Sequence, residues 1–163
     1  MSASLQRGIR RAQVADLPGA LALLQGARLP TADLTSAQGL KMWVLEAKDA
    51  LLGVIALERF GGDALLRSFA VAPAYQKRGF GHELVARLEQ EAQADGIQHL
   101  VLLTETAEPF FRRLGYQIID RSCVSGELKQ SAEFRSLCPA SAVCMSKAIH
   151  SMRVEGKYGR AHL

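Results

Sequence analysis

Cysteine is scarce. Only three occur in 163 residues, at positions 123, 138 and 144, and no two stand in C-x-x-C spacing. An odd number without that spacing excludes a disulfide framework and a zinc ribbon, and fits a reducing compartment. The four histidines, at 82, 99, 150 and 162, are scattered and form no metal-ligand pattern, so no metal is expected. Aromatic residues make up 6% of the chain, with a single tryptophan. No apolar run approaches the roughly 20 residues that cross a bilayer, and the opening MSASLQRGIRRAQ has no apolar core of a secretory signal. Charge of one sign is also in short supply: 20 Lys and Arg against 16 Asp and Glu leave a net +4. That surplus suits an anionic small ligand and not a dedicated nucleic-acid binder. Internal repeats and low-complexity tracts are absent. The expectation is a cytoplasmic protein with one domain over residues 1–149 and a flexible polar tail over 150–163, touching neither nucleic acid nor membrane. A homodimer is left open.

What is present is ordinary globular material, 48% hydrophobic and 22% charged. Strands are expected at 9–12, 42–46, 51–60, 64–71, 99–103, 116–121 and 142–148. The second and third are joined by Lys48-Asp49, the third and fourth by Gly61-Gly62-Asp63. Helices are expected from Asp16 to Leu24, with Gly26 closing it, from Gly81 to Ala94, over 109–114, and around 127–134. Leu84, Val85, Leu88 and Ala92 fall at helical spacing, with Glu83, Arg87 and Glu91 on the outer face. HLVLL at 99–103 is apolar throughout, as in a strand covered on both faces. Strand 64–71, helix 81–94 and strand 99–103 form a right-handed βαβ unit flanked by antiparallel strands. The predicted fold class is therefore α+β, with a mixed, mostly antiparallel sheet of six or seven strands and helices on both faces.

The most informative stretch is SFAVAPAYQKRGFGHELV, residues 68–85. Gln76, Lys77, Arg78, Gly79, Phe80 and Gly81 lie between a strand and a helix start. The first N–H groups of a helix have no partner one turn back, and its dipole favours negative charge there. Glycine lets backbone approach an oxyanion closely. Together with Lys77 and Arg78 these make a pyrophosphate cradle. The Rossmann fingerprint fails, because Leu84 stands where its third glycine belongs. The P-loop fails too, because His82 follows Gly81. A basic surface turn before a helix is the other reading of these residues alone.

Gln-x-x-Gly-x-Gly after a strand ending Ala-Val-x-Pro resembles the acetyl-CoA loop of the GCN5-related N-acetyltransferase (GNAT) superfamily. Ala107-Glu108-Pro109-Phe110-Phe111-Arg112-Arg113-Leu114-Gly115-Tyr116 resembles that superfamily's A-x-x-F-Y-x-x-x-G-F/Y helix, and the element order is similar over about residues 7–149. A narrower likeness is to a branch associated with bacterial arsenic-resistance operons. It is carried by LERFGGDALLRSFAVAP, TAEPFFRRLGY and EFRSLCPASAVCMSK.

The resemblance implies a splayed sheet in which the backbone of Phe69, Ala70 and Val71 pairs with the pantetheine arm of acetyl-CoA, as in β-augmentation. It implies that the amides from Gln76 to Gly81 take the pyrophosphate, and that Thr104 and Phe111 lie at the cofactor. It makes the Val71 N–H the group that polarises the thioester. The superfamily's usual leaving-group acid is a tyrosine at the position of Phe111, which has no proton to give. Glu58 is the first choice of general base and Glu105 the second; Glu58 also reads as a surface carboxylate beside Arg59. Arg67 and Ser68 are the candidate acceptor-binding residues. On strict alternation Arg67 shares a face with Leu65 and Phe69, and it is either a clamp for an acceptor carboxylate or a solvated edge charge. Cys138 and Cys144 read as apolar filler. The implied activity is direct acetyl transfer to the amine of a small amino-acid-like acceptor, in the narrower branch an arsenical or phosphinic amino acid. A CoA-binding sensor without catalysis and a protein or peptide N-acetyltransferase are the alternatives.

Overall fold

The fold is that of a computed structural model, which describes residues 7–34, 40–137 and 140–149. The expected tail from 150, Cys138 and residues 35–39 lie outside the described residues. Seven strands form one sheet in the order β1-β2-β3-β4-β5-β7-β6. They are β1 (Gly8–Arg11), β2 (Leu40–Ala47), β3 (Ala50–Phe60), β4 (Asp63–Val71), β5 (His99–Thr104), β6 (Gln117–Ile118) and β7 (Val143–Ala148), with helices α1 (Leu17–Gly26), α2 (Phe80–Ala94), α3 (Glu108–Arg113) and α4 (Gly126–Lys129). The sheet is mixed and mostly antiparallel: β1 with β2, β5 with β7 and β6 with β7 are antiparallel, while β4 with β5 is parallel. Among the described residues no helix is long and apolar enough to cross a membrane.

Contacts divide the described residues into two compact units, one running to Leu57 and including Arg67–Leu88, the other comprising Glu58–Leu66 and the residues from Glu89 on. In the first, Ala20 and Leu24 of α1 and Leu34 beyond it pack on Met42, Val44, Val54, Ala56 and Ala70. Each fully buried leucine here contributes about 1.5–3 kcal/mol. On the opposite face of β3, a Cβ at Gly53 would come within 2.7 Å of Leu84 Cδ1 and 3.3 Å of the Ala70 carbonyl oxygen. Glycine there lets α2 lie close to the strand. Lys48 (φ 50°) and Asp49 (φ 64°) are both left-handed, the conformation of a two-residue hairpin turn whose twist matches the strands it joins.

α1 does not stop before Gly26 as its sequence suggests. It runs through Gly26 and closes on Arg28, at φ 60°, with Leu29 N–H donating to the Leu24 carbonyl at 2.9 Å and Arg28 N–H to Gln25 at 3.0 Å. This is a Schellman closure built on arginine. Asp16 does not cap α1 with its side chain either. Its carboxylate takes two bonds from Arg10, at 2.7 and 2.9 Å, and one from the Gln13 N–H at 2.7 Å.

In the second unit, Leu65, Val101, Val124, Leu128 and Cys144 form the core, with Phe60, Leu103, Ile119 and Phe134 packed against it. α2 ends as expected at Gly96, φ 77°, with Ile97 N–H donating to the Ala92 carbonyl at 3.0 Å. The strand expected over 116–121 shrinks to Gln117–Ile118, because Asp120 turns its carboxylate onto Ser122 N–H at 2.9 Å and starts a 3₁₀ turn. The helix expected around 127–134 is two pieces, α4 and a π-helical turn at Glu133–Leu137. Ser131 Oγ, which accepts from Phe134 N–H at 3.3 Å, competes for the backbone between them.

Candidate functional site

β4 carries the first feature of the site. Its parallel register with β5 pairs Asp63, Ala64 and Leu65 with His99, Leu100 and Val101, while β4 itself continues to Val71. Within that continuation Ser68, 5% exposed, holds φ at +54°. A left-handed non-glycine residue inside a strand costs on the order of 1–2 kcal/mol. It also breaks the alternation, as a bulge does. Arg67 reaches Asp33, whose neighbour Leu34 packs in the same cluster as Ala70.

Arg67 is neither a solvated edge charge nor an open clamp. Its side chain is fully buried, and it donates Nη1–H and Nη2–H to the two oxygens of Asp33, both at 2.6 Å, and Nε–H to Ser68 Oγ at 3.2 Å. The guanidinium holds Asp33 well below the usual carboxylate range by direct hydrogen bonding, against the opposing effect of desolvation.

After Val71 the chain makes a short 3₁₀ turn, Pro73–Tyr75, and enters the loop. Gln76 is tied inward. Its side-chain amide donates to the Val71 carbonyl at 3.0 Å, and its own N–H makes a long bond, 3.4 Å, to Pro73. Lys77 (φ 65°) and Gly79 (φ 86°) are both left-handed, so the backbone on either side of Arg78 is turned twice in the manner of an anion-binding nest. A Cβ at Gly79 would meet nothing within 4 Å, so its conformation and not its packing calls for glycine. Glu83 N–H donates to the Gly79 carbonyl at 3.1 Å, which makes Phe80, Gly81 and His82 the first residues of the 15-residue α2, whose N–H groups have no partner one turn back.

Side chains brace this loop. Phe80 is buried beside Tyr75, ring centroids 6.2 Å apart, with Arg7 4.9 Å over its face. Arg78 lies 5.3 Å over Tyr75. Glu83 would set a negative charge against an incoming anion, but Arg7 donates to both its oxygens, at 3.3 and 2.7 Å. The loop thus keeps Lys77 and Arg78, both exposed, as its outward charges. The fit to a diphosphate rests on these turned amides, a cradle at Gly79 and two cations.

The second unit holds the other candidates. Glu58, 6% exposed, closes a buried run from Leu52 along β3, which corrects its reading as a surface carboxylate. Glu105 is exposed and accepts from Ser141 Oγ at 3.2 Å. Thr104 Oγ1 accepts from Ala107 N–H at 2.9 Å, so it serves the turn into α3. Phe111 is 3% exposed and stands edge-on to Phe110 and Tyr116, at 5.1 and 5.3 Å. Its ring packs among these aromatics, and it has no proton to give. Tyr116 donates its hydroxyl to Glu89 at 2.8 Å, and Lys147 Nζ reaches both oxygens of Glu89 at 3.1 Å. Burial, reinforced by the charge of Glu89, pushes the Tyr116 hydroxyl far above its ordinary range. Cys144 is buried, as apolar filler should be, and burial raises its thiol to about 11. Neither the turn at Ser68 nor the partner of Arg67 was readable beforehand. Nothing in LLRSFAV marks a left-handed serine, and Asp33 is far away in sequence.

A seven-stranded mixed sheet with a parallel β4–α2–β5 unit and an anion-binding turn ahead of α2 is the arrangement of an acetyltransferase domain of the GNAT type. Residues 38–118 match the acetyltransferase (GNAT) domain family, and the fold agrees over most of the chain with that of a solved acetyltransferase of the GNAT family from Staphylococcus aureus, at TM-score 0.72. Similar structures include N-acetylglutamate synthase from Neisseria gonorrhoeae, complexed with coenzyme A and N-acetyl-glutamate. It is 21% identical with TM-score 0.77, covering 91% of this chain and 36% of that one. Another is Rv2747 from Mycobacterium tuberculosis in complex with CoA and NLQ, 28% identical with TM-score 0.73, covering 86% and 98%. In sequence, the probable N-acetyltransferase 14 of Danio rerio is 29% identical over 84 residues, 48% of this chain and 30% of that protein. The chain thus spans about a third of the length of the fish protein and of the Neisseria synthase.

Proposed function

We propose that the chain is an acetyl-CoA-dependent N-acetyltransferase whose acceptor is the amine of a small amino-acid-like molecule. One observation carries the reading: two left-handed turns, at Lys77 and Gly79, lead straight into the first amides of α2. Such amides suit a diphosphate, and neighbouring folds are complexed with CoA. The backbone of Phe69–Val71 is the strand along which the thioester arm lies, and the Val71 N–H faces the thioester oxygen as charge builds there. Glu58 takes the proton from the acceptor ammonium, directly or through water. The neutral nitrogen then bonds to the carbonyl carbon and gives up its second proton to water, the C–S bond breaks, and the sulfur leaves as the thiolate and is protonated from water.

Phe111 cannot supply that proton, and Tyr116 is held by Glu89. Tyr116→Phe is therefore expected to lower stability by about 1–2 kcal/mol, for one lost hydrogen bond, and to leave kcat within about threefold. A tenfold fall in kcat would make Tyr116 the acid after all.

The amino-acid acceptor is supported by a neighbour complexed with coenzyme A and N-acetyl-glutamate, an acetylated amino acid. An arsenical or phosphinic amino acid has the same layout, an amine near an anionic end, and belongs in the same panel. The absence of an acid at Phe111 favours one other reading, a CoA-binding sensor. Free-thiol release from acetyl-CoA, measured across amino acids, their arsenical and phosphinic analogues, simple amines and peptides, separates these. Acceptor-dependent thiol with amino-acid-like compounds is the expected result. Acetyl-CoA binding without acceptor-dependent thiol supports the sensor, and turnover confined to peptides overturns the small acceptor.

A further inference from the structure

Two consecutive residues of the segment after α1 are tied to β4 around its left-handed serine, one by a direct ion pair and one through a shared apolar cluster. Asp33 takes both terminal nitrogens of Arg67, at 2.6 Å each, and Leu34, 6% exposed, packs in the cluster that holds Ala70. Between them stands Ser68 at φ +54°, its Oγ accepting from Arg67 Nε–H at 3.2 Å. A non-glycine residue persists in that conformation only where its surroundings over-determine it. Here the surroundings are a guanidinium with no exposed side-chain surface, a carboxylate 15% exposed, and one apolar anchor.

An exposed ion pair would do little of this, since solvent and side-chain freedom cancel most of its strength. A buried, two-pronged pair is different. Removing one partner strands a charge, whereas replacing both by apolar groups is often neutral for stability. Stability and geometry can therefore be separated experimentally.

We propose that Asp33 is a positioning residue: by holding Arg67 it fixes the left-handed bulge at Ser68, and with it the backbone of Phe69, Ala70 and Val71 that receives the thioester arm. The arm's place rests on the acetyl-CoA reading above; the control of the bulge does not. The test compares wild type with the double variant Asp33→Leu/Arg67→Met. Amide hydrogen exchange without ligand is expected to speed up at least tenfold at Ser68–Val71 and to stay unchanged at Val44 in β2. The Kd for acetyl-CoA is expected to rise at least tenfold, although the melting temperature stays near that of wild type.

If the double variant keeps both the exchange pattern and acetyl-CoA affinity, the pair only stabilises and the proposal is overturned. If acetyl-CoA affinity holds while the acceptor KM alone rises, Arg67 is a clamp and positioning is again overturned. Wild type that binds no acetyl-CoA removes the functional reading, and the exchange measurement still decides the control of the bulge. Should the double variant not fold, Asp33→Asn gives the same readings, with unchanged exchange and affinity as the overturning result.

Discussion

Glu58→Gln is expected to lower kcat by about 10²–10⁴, the usual worth of a general base, while the Kd for acetyl-CoA stays within about twofold. The reason lies in β3. Residues from Leu52 to Glu58 are buried without interruption, and the last of them is a carboxylate. Glutamate is rarely buried unless it is paired, and Glu58 is held by its neighbours at the buried end of that run. Glutamine keeps the size and the hydrogen-bonding oxygen but removes the basicity, so a fall in kcat alone reports proton transfer. Glu105→Gln is the companion: exposed and bonded to Ser141, it is expected to change kcat less than about threefold. If the two variants exchange these effects, Glu105 is the base. If neither moves kcat, proton removal is left to solvent and Glu58 is structural.

Gly79→Ala is expected to raise the Kd for acetyl-CoA about 10- to 100-fold and to lower stability by about 1–2 kcal/mol, the cost of a left-handed alanine. Hydrogen bonds to charged groups are worth about 1.5–3 kcal/mol, and every 1.4 kcal/mol is tenfold in affinity, so losing the geometry of one or two amides gives that range. At saturating acetyl-CoA, kcat should fall less than threefold, since the loop grips the far end of the ligand. Gly26→Ala is the control. Gly26 lies in α1 without a left-handed φ, and a Cβ there meets nothing within 4 Å. It should raise stability by about 0.5–1 kcal/mol and leave affinity alone. Equal Kd values for wild type and Gly79→Ala would take the loop out of the binding site.

What could be read from the chain is what short-range chemistry determines. Gly96 closes α2, HLVLL forms a strand, and the motif from Gln76 to Gly81 falls where α2 begins. Elsewhere local signals misled. Gly26 looks like a helix stop, yet the helix continues and Arg28 takes the left-handed turn, because Leu24 is held in the core and its carbonyl bonds Leu29 N–H. Apolar residues over 116–121 suggest a full strand, but Asp120 diverts the chain. At the site, the decisive features come from side chains distant in sequence. Asp33 meets Arg67 across 34 residues, and only folding brings that pair to Ser68. Glu83, on the outer face of α2, likewise meets Arg7 across 76 residues.

Residue-resolved amide exchange with and without acetyl-CoA, recorded alongside titration calorimetry, goes to the centre of the account. A single saturable site below millimolar ligand is expected, with exchange slowed at Lys77–His82 and at Phe69–Val71. No heat and no slowing at either stretch with millimolar acetyl-CoA would contradict it.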